Sequence, residues 1–413
     1  SASWTSATST INWPRDESGM TTHLDRITGL RAALAGAGMD IALLWQSRDL
    51  LYYTGSSEPA MLAVWAGGEQ LFVRGSLERV VQASGLPSAR LTPERDFGRI
   101  FSTVREMAGL GETAVVGGEL DLTPVNWFRQ WQALMPGWEW RDATPLVLAQ
   151  RMIKDAGEIA AISHACAVAE AGHRAAFAAL AEGVSELELS AAVEDAQRRA
   201  GHEGEFFMRL PDFFMARGMV ASGDGFSDNT GVALSITGQG LSPAVPAGPS
   251  LRPVRRGQPV LLDIPAQVEG YHADFARSYL VGRPDDALRR ADEILGQLFT
   301  SLAQFIRPGR TWADCYHQAF AEAQRLGGEG LQALPGGKVL PYIAHGVGLE
   351  LNEHPLVGPR NQGPVRAGAV LAMEMHLLLD QGRGLKFEDM LLVEEAGGRY
   401  LSTIPRRLIC KEL

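Results

Sequence analysis

Val260-Leu261-Leu262-Asp263-Ile264-Pro265, then a turn at Glu269-Gly270, then Tyr271-His272-Ala273-Asp274-Phe275: this stretch decides how the chain is read. The apolar residues mark strands, and the turn between them lets a hairpin bring both aspartates to one face. A carboxylate inside an aliphatic strand costs on the order of several kcal/mol if nothing positive faces it. Asp263 therefore calls for a cationic neighbour.

Three later segments repeat the anomaly. They are His345 in Ala344-His345-Gly346-Val347-Gly348, Glu374 in Leu371-Ala372-Met373-Glu374, and Glu388 in Leu385-Lys386-Phe387-Glu388-Asp389. Four acids brought together would repel one another and take up protons at neutral pH. Two divalent cations would neutralise them, and a neutral imidazole completes a hard, oxygen-rich ligand set. Any one of these acids alone reads as an ordinary surface or structural residue. The set carries the argument.

The bulk properties frame this reading. A chain of 413 residues exceeds one ordinary core, which predicts two domains. A hydrophobic fraction of 46% with 21% charged residues is ordinary globular composition. The net charge of −10 argues against a sequence-independent grip on nucleic-acid phosphates, and Arg255-Arg256 and Arg406-Arg407 do not grow into a basic patch. Cys166, Cys315 and Cys410 are odd in number and lack CxxC spacing, so neither a disulfide framework nor a cysteine zinc site is indicated and a cytoplasmic setting fits. Residues 1–20, rich in Ser, Thr and Ala without a basic start or an apolar run, read as a flexible leader rather than a signal peptide. No apolar run is long enough to span a bilayer.

Residues 21–150 read as an α/β domain. Helices are expected over Leu24–Gly36 and Phe97–Met107, strands over Ile41–Trp45 and Thr113–Gly117, and a hairpin from Met61–Trp65 through Gly67-Gly68 to Leu71–Val73. Asp155 and Glu158, three apart before an apolar periodic run, resemble a capping box opening a long helix over Ile159–Ala181; a second helix is expected over Leu187–Ala200. Gly238-Gln239-Gly240 is not a dinucleotide fingerprint, because Pro243, Pro246 and Pro249 forbid the helix that must follow. Asp224–Asn229 fails the EF-hand spacing and reads as a polar loop.

The ordered set of five resembles the pita-bread metallopeptidases, the family of methionine aminopeptidases, prolidases, Xaa-Pro aminopeptidases and creatinases. The two-part layout resembles the prolidase and creatinase branch, as do Arg151-Met152-Ile153-Lys154 at the junction, Gly270-Tyr271 before Asp274, and Glu388-Asp389. The resemblance implies a creatinase-like α/β domain followed by a pita-bread catalytic domain over residues 151–413. It implies that Asp263 chelates one metal, that Asp274 and Glu388 bridge two, and that His345 and Glu374 hold the other. The ions would be Mn, Zn, Co or Fe. A hydroxide between them would be the nucleophile, Glu374 the proton acceptor, and the reaction hydrolysis of an amide next to proline. The family also implies a peptide substrate and a homodimer.

The sequence departs from that pattern at two histidines. Family peptidases carry one ahead of the first metal aspartate, and here none occurs from Glu203 to Leu262. The other follows the metal histidine in a His-Glu-x-Pro setting, and here Asn352-Glu353-His354-Pro355 stands there. Asn352 can donate to an oxyanion but cannot shuttle a proton. His354 and His376, two residues beyond Asn352 and Glu374, are candidate replacement imidazoles, as is His272 two before Asp274. Lys386, near Arg383, and Arg217 are candidates for holding a substrate carboxylate. The altered histidines leave open carboxypeptidase-type cleavage or creatinase-type C–N hydrolysis, and at the margin a non-catalytic binding module.

Overall fold

A computed structural model describes residues 21–210, 218–230, 235–334 and 337–412. The chain divides into two compact units: one is built on the segment up to Arg151, with Asp155–Gly157 and Arg209 added to it, the other on the rest. The expected leader and Arg217 lie outside the described residues.

In the first unit, Thr22 caps helix His23–Gly36 in a capping box with Asp25, and Asp96 caps helix Phe97–Met107 through the Arg99 amide. The second of these helices matches its sequence reading at both ends. Six strands form a mixed sheet in the order Leu91–Pro93, Gly68–Val73, Ala60–Trp65, Ile41–Leu44, Ala114–Gly118, Trp138–Asp142. The expected hairpin is present, with Trp65 paired to Gly68, so the turn sits one residue earlier than read. Phe97, Phe101, Trp131 and Trp138 form an aromatic core on the sheet. Arg209 is fastened to this unit by Asp49 at 2.8 Å and Asp121 at 2.6 Å. That contact has no local sequence signal.

In the second unit, helix Ala156–Ala179 precedes helix Glu186–Arg199, which begins with a Ser185/Glu188 capping box. The two acids read as opening this helix, Asp155 of the first unit and Glu158 within the helix's own first turn, have distant partners. Asp155 accepts from Arg26 at 2.8 Å, and Glu158 accepts from the Tyr271 hydroxyl at 3.1 Å. The main path of a nine-stranded sheet runs Glu353–Val357, Ala344–Gly346, Val370–Leu378, Gly384–Glu394, Ala276–Val281, Pro259–Asp263, Met219–Ser222. The expected turn at Glu269-Gly270 closes a separate hairpin, Ala266–Val268 with Tyr271–Ala273. Both turn residues have positive φ, 53° and 78°, the backbone a tight two-residue turn demands. After this excursion the chain pairs back on itself, setting Ala276 opposite Asp263.

Strands Val370–Leu378 and Gly384–Glu394 show how the sheet makes a site. Leu371, Met373, Met375 and Leu377, with Leu385, Phe387, Leu391 and Val393, pack against helices Asp286–Phe305 and Trp312–Leu326. Val370, Ala372, Met390 and Leu392 alternate with them and pack against Ile162, Ala165 and Ala169 of helix Ala156–Ala179. Glu374, His376, Lys386 and Glu388 continue this second register, so one sheet face turns from apolar to ionic partway along. Among the described residues, no helix is long and apolar enough to cross a membrane.

His173, buried in helix Ala156–Ala179, bonds through Nδ1 to the Tyr279 hydroxyl at 2.8 Å. Burial first, and the Arg277 charge second, push its pKa down to about 3. The folded ring stays neutral while the unfolded chain protonates it near the ordinary histidine value, so acid favours unfolding. Stability is expected to fall as pH drops from about 6.5 toward 4, and His173→Phe should flatten that slope in urea titrations across the same range. An unchanged slope would show that His173 is not the group responsible.

Candidate metal centre

Each member of the acidic set is placed by the sheet. Asp263 ends strand Pro259–Asp263, Asp274 follows the small hairpin, and His345 lies mid-strand in Ala344–Gly346. Glu374 and Glu388 are directly paired across adjacent strands, and His376 is paired with Lys386. All five side chains expected to bind metal are buried.

His345 donates through Nδ1 to the Gly346 carbonyl at 3.0 Å, since a carbonyl only accepts. Its Nε2 therefore faces the acids. It lies 3.7 Å from Asp274 Oδ2, 3.8 Å from Glu374 Oε1 and 3.7 Å from Glu388 Oε1. These gaps exceed a direct hydrogen bond, yet one ion at about 2.0–2.2 Å from each ligand could span them. Asp274, His345 and Glu388 offer ligand atoms all within 4.8 Å of one another. Two carboxylates and an imidazole whose second nitrogen is held by a backbone carbonyl form a donor set that fits a divalent ion.

Lys386 corrects the sequence expectation. Read as an anchor for a substrate carboxylate, it is only 2% exposed and turned into the acids. Its Nζ is 2.7 Å from Asp263 Oδ2, 2.7 Å from Glu374 Oε2 and 3.1 Å from Glu388 Oε2, and it donates to Ser235 Oγ at 3.0 Å. The strand pairing aims it there, because Lys386 shares a sheet face with Glu388 and its neighbour Glu374. The cationic neighbour that Asp263 demanded is, in part, this ammonium. Arg383, the other nearby cation, pairs with Asp285 at 2.6 Å.

One ammonium does not balance four carboxylates, and the protonation equilibria show the deficit. Burial, with Lys386 opposing it, raises the Asp263 carboxyl to about 7. Burial and the Glu388 and Asp263 charges hold Asp274 well above the usual carboxylate range. Burial would raise Glu374 too, but Lys386 and His345 bring it to about 2. Against its burial, His345 is raised to about 9 by Glu388, Asp274 and Glu374. Despite Lys386, protons gather on Asp263, Asp274 and His345. That is where additional positive charge would be most stabilised.

The candidate histidines do not behave alike. His376 shares the face of Glu374, as expected, and its Nε2–H donates to the Ala333 carbonyl at 2.7 Å. Burial lowers its pKa to about 4, so the ring is neutral, and its buried Nδ1 has no hydrogen-bond partner among the described residues. His376 can accept a proton there but has none to give from that nitrogen. His272 is a structural pin: Nδ1–H donates to the Gly348 carbonyl at 3.0 Å, and Nε2 accepts from the Phe207 amide at 3.1 Å. His354 is exposed, because strand Glu353–Val357 alternates and buries Glu353 and Pro355 instead. Asn352 is half-buried just ahead of the same strand.

Three residues of the site were missed. Tyr342 hydrogen-bonds the Glu374 carboxylate, and Ser235 lies 3.4 Å from Glu374 Oε2. Arg277, fully buried, donates to the Glu388 carbonyl at 2.6 Å and to Asp389 Oδ2 at 2.6 Å, fixing the Glu388 strand from behind. Arginine inside the apolar run Ala273–Val281 was the available signal for the last. Tyr342 and Ser235 carried none.

Comparison with known proteins adds the following. The model of metallopeptidase family M24 matches residues 160–395, and that of the creatinase/prolidase N-terminal domain matches residues 26–153. The Xaa-Pro dipeptidase of Pyrococcus furiosus is 25% identical over 309 residues, covering 75% of this chain and 79% of the relative. An uncharacterised peptidase of Bacillus subtilis is 24% identical over 389 residues, covering 93% and 99%. Among solved structures, the Xaa-Pro dipeptidase from Bacillus anthracis superposes with a TM-score of 0.78 at 20% identity, covering 94% of this chain and all of that one (100%). The X-Pro aminopeptidase from Thermotoga maritima superposes with a TM-score of 0.75 at 21% identity, covering 93% and 99%. These likenesses establish the two-part fold, a creatinase-type α/β domain followed by a pita-bread domain.

Proposed function

The chain belongs to metallopeptidase family M24, and from that premise we propose that it is a divalent-metal-dependent exopeptidase cleaving the amide bond next to proline in short peptides. The observation that carries this reading is the buried convergence of Asp274, His345 and Glu388, with ligand atoms within 4.8 Å of one another. Its specificity for proline rests on the Xaa-Pro dipeptidases among the relatives.

Asp274, His345 and Glu388 are the residues that would hold the ion. When bound, the ion supplies Lewis acidity, which lowers the pKa of nearby water toward neutrality and polarises the scissile carbonyl. Glu374, held ionised near pKa 2 chiefly by Lys386 and bonded to Tyr342, is the proton acceptor in this reading. His376 Nδ1 is a second acceptor on the same face. Asn352 is proposed as an oxyanion donor, and Arg217 as the anchor for a substrate carboxylate. Of the expected pair of ions sharing a hydroxide, one would compete with the Lys386 ammonium for Asp263, Glu374 and Glu388. A homodimer and a cytoplasmic setting belong to the same proposal.

Cleavage is expected of Xaa-Pro dipeptides or longer Xaa-Pro peptides with added Mn(II), lost on chelation and restored by re-addition. Peptides ending in proline, and creatine, complete the panel, because the lack of both family histidines favours a shifted substrate. Activity on those compounds alone would move the assignment to carboxypeptidase or C–N hydrolase chemistry. Bound metal with every amide intact would end the peptidase reading.

A further inference from the structure

We infer that Lys386 occupies one of the two cation positions of this site with its own ammonium group, so that the chain binds one divalent ion rather than two. The inference rests on the metal-dependent reading above and deepens it. Glu374 and Glu388 each divide their two oxygens in the same way. Glu374 Oε2 and Glu388 Oε2 face Lys386 Nζ at 2.7 and 3.1 Å, while Glu374 Oε1 and Glu388 Oε1 face His345 Nε2 at 3.8 and 3.7 Å. The pair of glutamates thus lies between two adjacent positive positions. Asp263 Oδ2, 2.7 Å from Nζ, belongs to the first; Asp274 Oδ2, 3.7 Å from Nε2, belongs to the second.

The first position is filled by a group carried on a fixed strand. The Lys386 amide accepts no alternative path: its N–H donates to Ser278 Oγ at 3.0 Å, its carbonyl accepts from the same hydroxyl at 3.1 Å, and the residue sits opposite His376 in the ladder. An ion there would need the same carboxylate oxygens at about 2.0–2.2 Å, in contact with the ammonium and repelled by it. Ser235 Oγ is a fourth, neutral acceptor around an ammonium that carries three N–H groups. Lysine suits this role as a compact point charge where a planar guanidinium would not. The second position keeps Asp274, Glu388 and His345, with Glu374 Oε1 beside them, enough to hold one ion with room for water.

The test is stoichiometry. Protein saturated with Mn(II) and freed of excess by gel filtration is expected to contain one Mn per chain by elemental analysis, and Lys386→Met is expected to contain two. Two Mn per wild-type chain would overturn the inference while leaving the peptidase reading intact. One Mn per chain in both proteins would show that Lys386 is not what excludes the second ion. No retained Mn in the wild type, with no peptide cleaved, would remove the metal-dependent reading beneath it. If the variant does not fold, anomalous diffraction from wild-type crystals grown in Mn(II) decides: a single peak among Asp274, His345 and Glu388 is expected, and a second beside Asp263 overturns the proposal.

Discussion

Asp274→Asn is expected to strip the protein of its metal and to lower kcat/KM on an Xaa-Pro substrate by about 10³-fold or more, while leaving the metal-free fold as stable as before or slightly more so. Losing the ion forfeits carbonyl polarisation and water activation, together worth several kcal/mol, with roughly 1.4 kcal/mol for each tenfold in rate. The stability half follows from the Asp274 carboxyl, which burial and its acidic neighbours hold well above the usual range. The unfolded chain ionises this group at the ordinary carboxylate value and the metal-free fold resists doing so, so its presence weakens the metal-free fold as pH rises toward neutrality. Asparagine keeps the shape and removes that penalty. Thermal melts with and without chelator at pH 7 check both halves: Mn(II) should raise the wild-type midpoint and leave that of the variant unmoved. A variant that retained Mn and a tenth of the wild-type activity, as a rough threshold, would remove Asp274 from the ligand set.

The second large effect concerns stability. Arg277→Met should cost about 3–5 kcal/mol, because it leaves the fully buried Asp389 carboxylate without its closest partner. The arginine also donates to the carbonyls of Pro405 and Ile404 at 2.9 and 3.0 Å and lies over the Phe275 ring at 4.1 Å, so several groups lose a partner together. A fall in melting midpoint of roughly 10 °C follows for a unit of this size. Glu388, whose carbonyl Arg277 holds, should also bind metal more weakly, by about 10- to 100-fold. A midpoint within about 2 °C of the wild type would contradict this account of the buried pair.

The sequence spoke clearly where structure is local. Helix Phe97–Met107 and the turn at Glu269-Gly270 were legible because capping, periodicity and turn chemistry act within a few residues. The five residues of the acidic set were legible because charge in an apolar strand is anomalous wherever it occurs. Lys386 was placed correctly on its strand face and assigned the wrong partner. Its closest neighbours are Asp263, distant in sequence, and Glu374, on the adjacent strand, and nothing local reveals that strand pairing brings them within 2.7 Å. The same blindness hid the attachment of Arg209 to Asp49, and the distant partners of Asp155 and Glu158. For His354 the i, i+2 rule does not apply, because it requires both residues to be in one strand and Asn352 precedes strand Glu353–Val357.

The pairing of Glu374 with Glu388 and of His376 with Lys386 has a consequence for how such a chain can vary. Extra residues in the connection beyond Leu378 leave both strands in phase and are harmless to the chemistry. One residue inserted between Lys386 and Glu388 would instead turn one of them to the opposite side of the sheet, exchanging places with aliphatic neighbours. These four side chains therefore keep their places only as a block: a substitution alters one member, whereas a shift of frame displaces several.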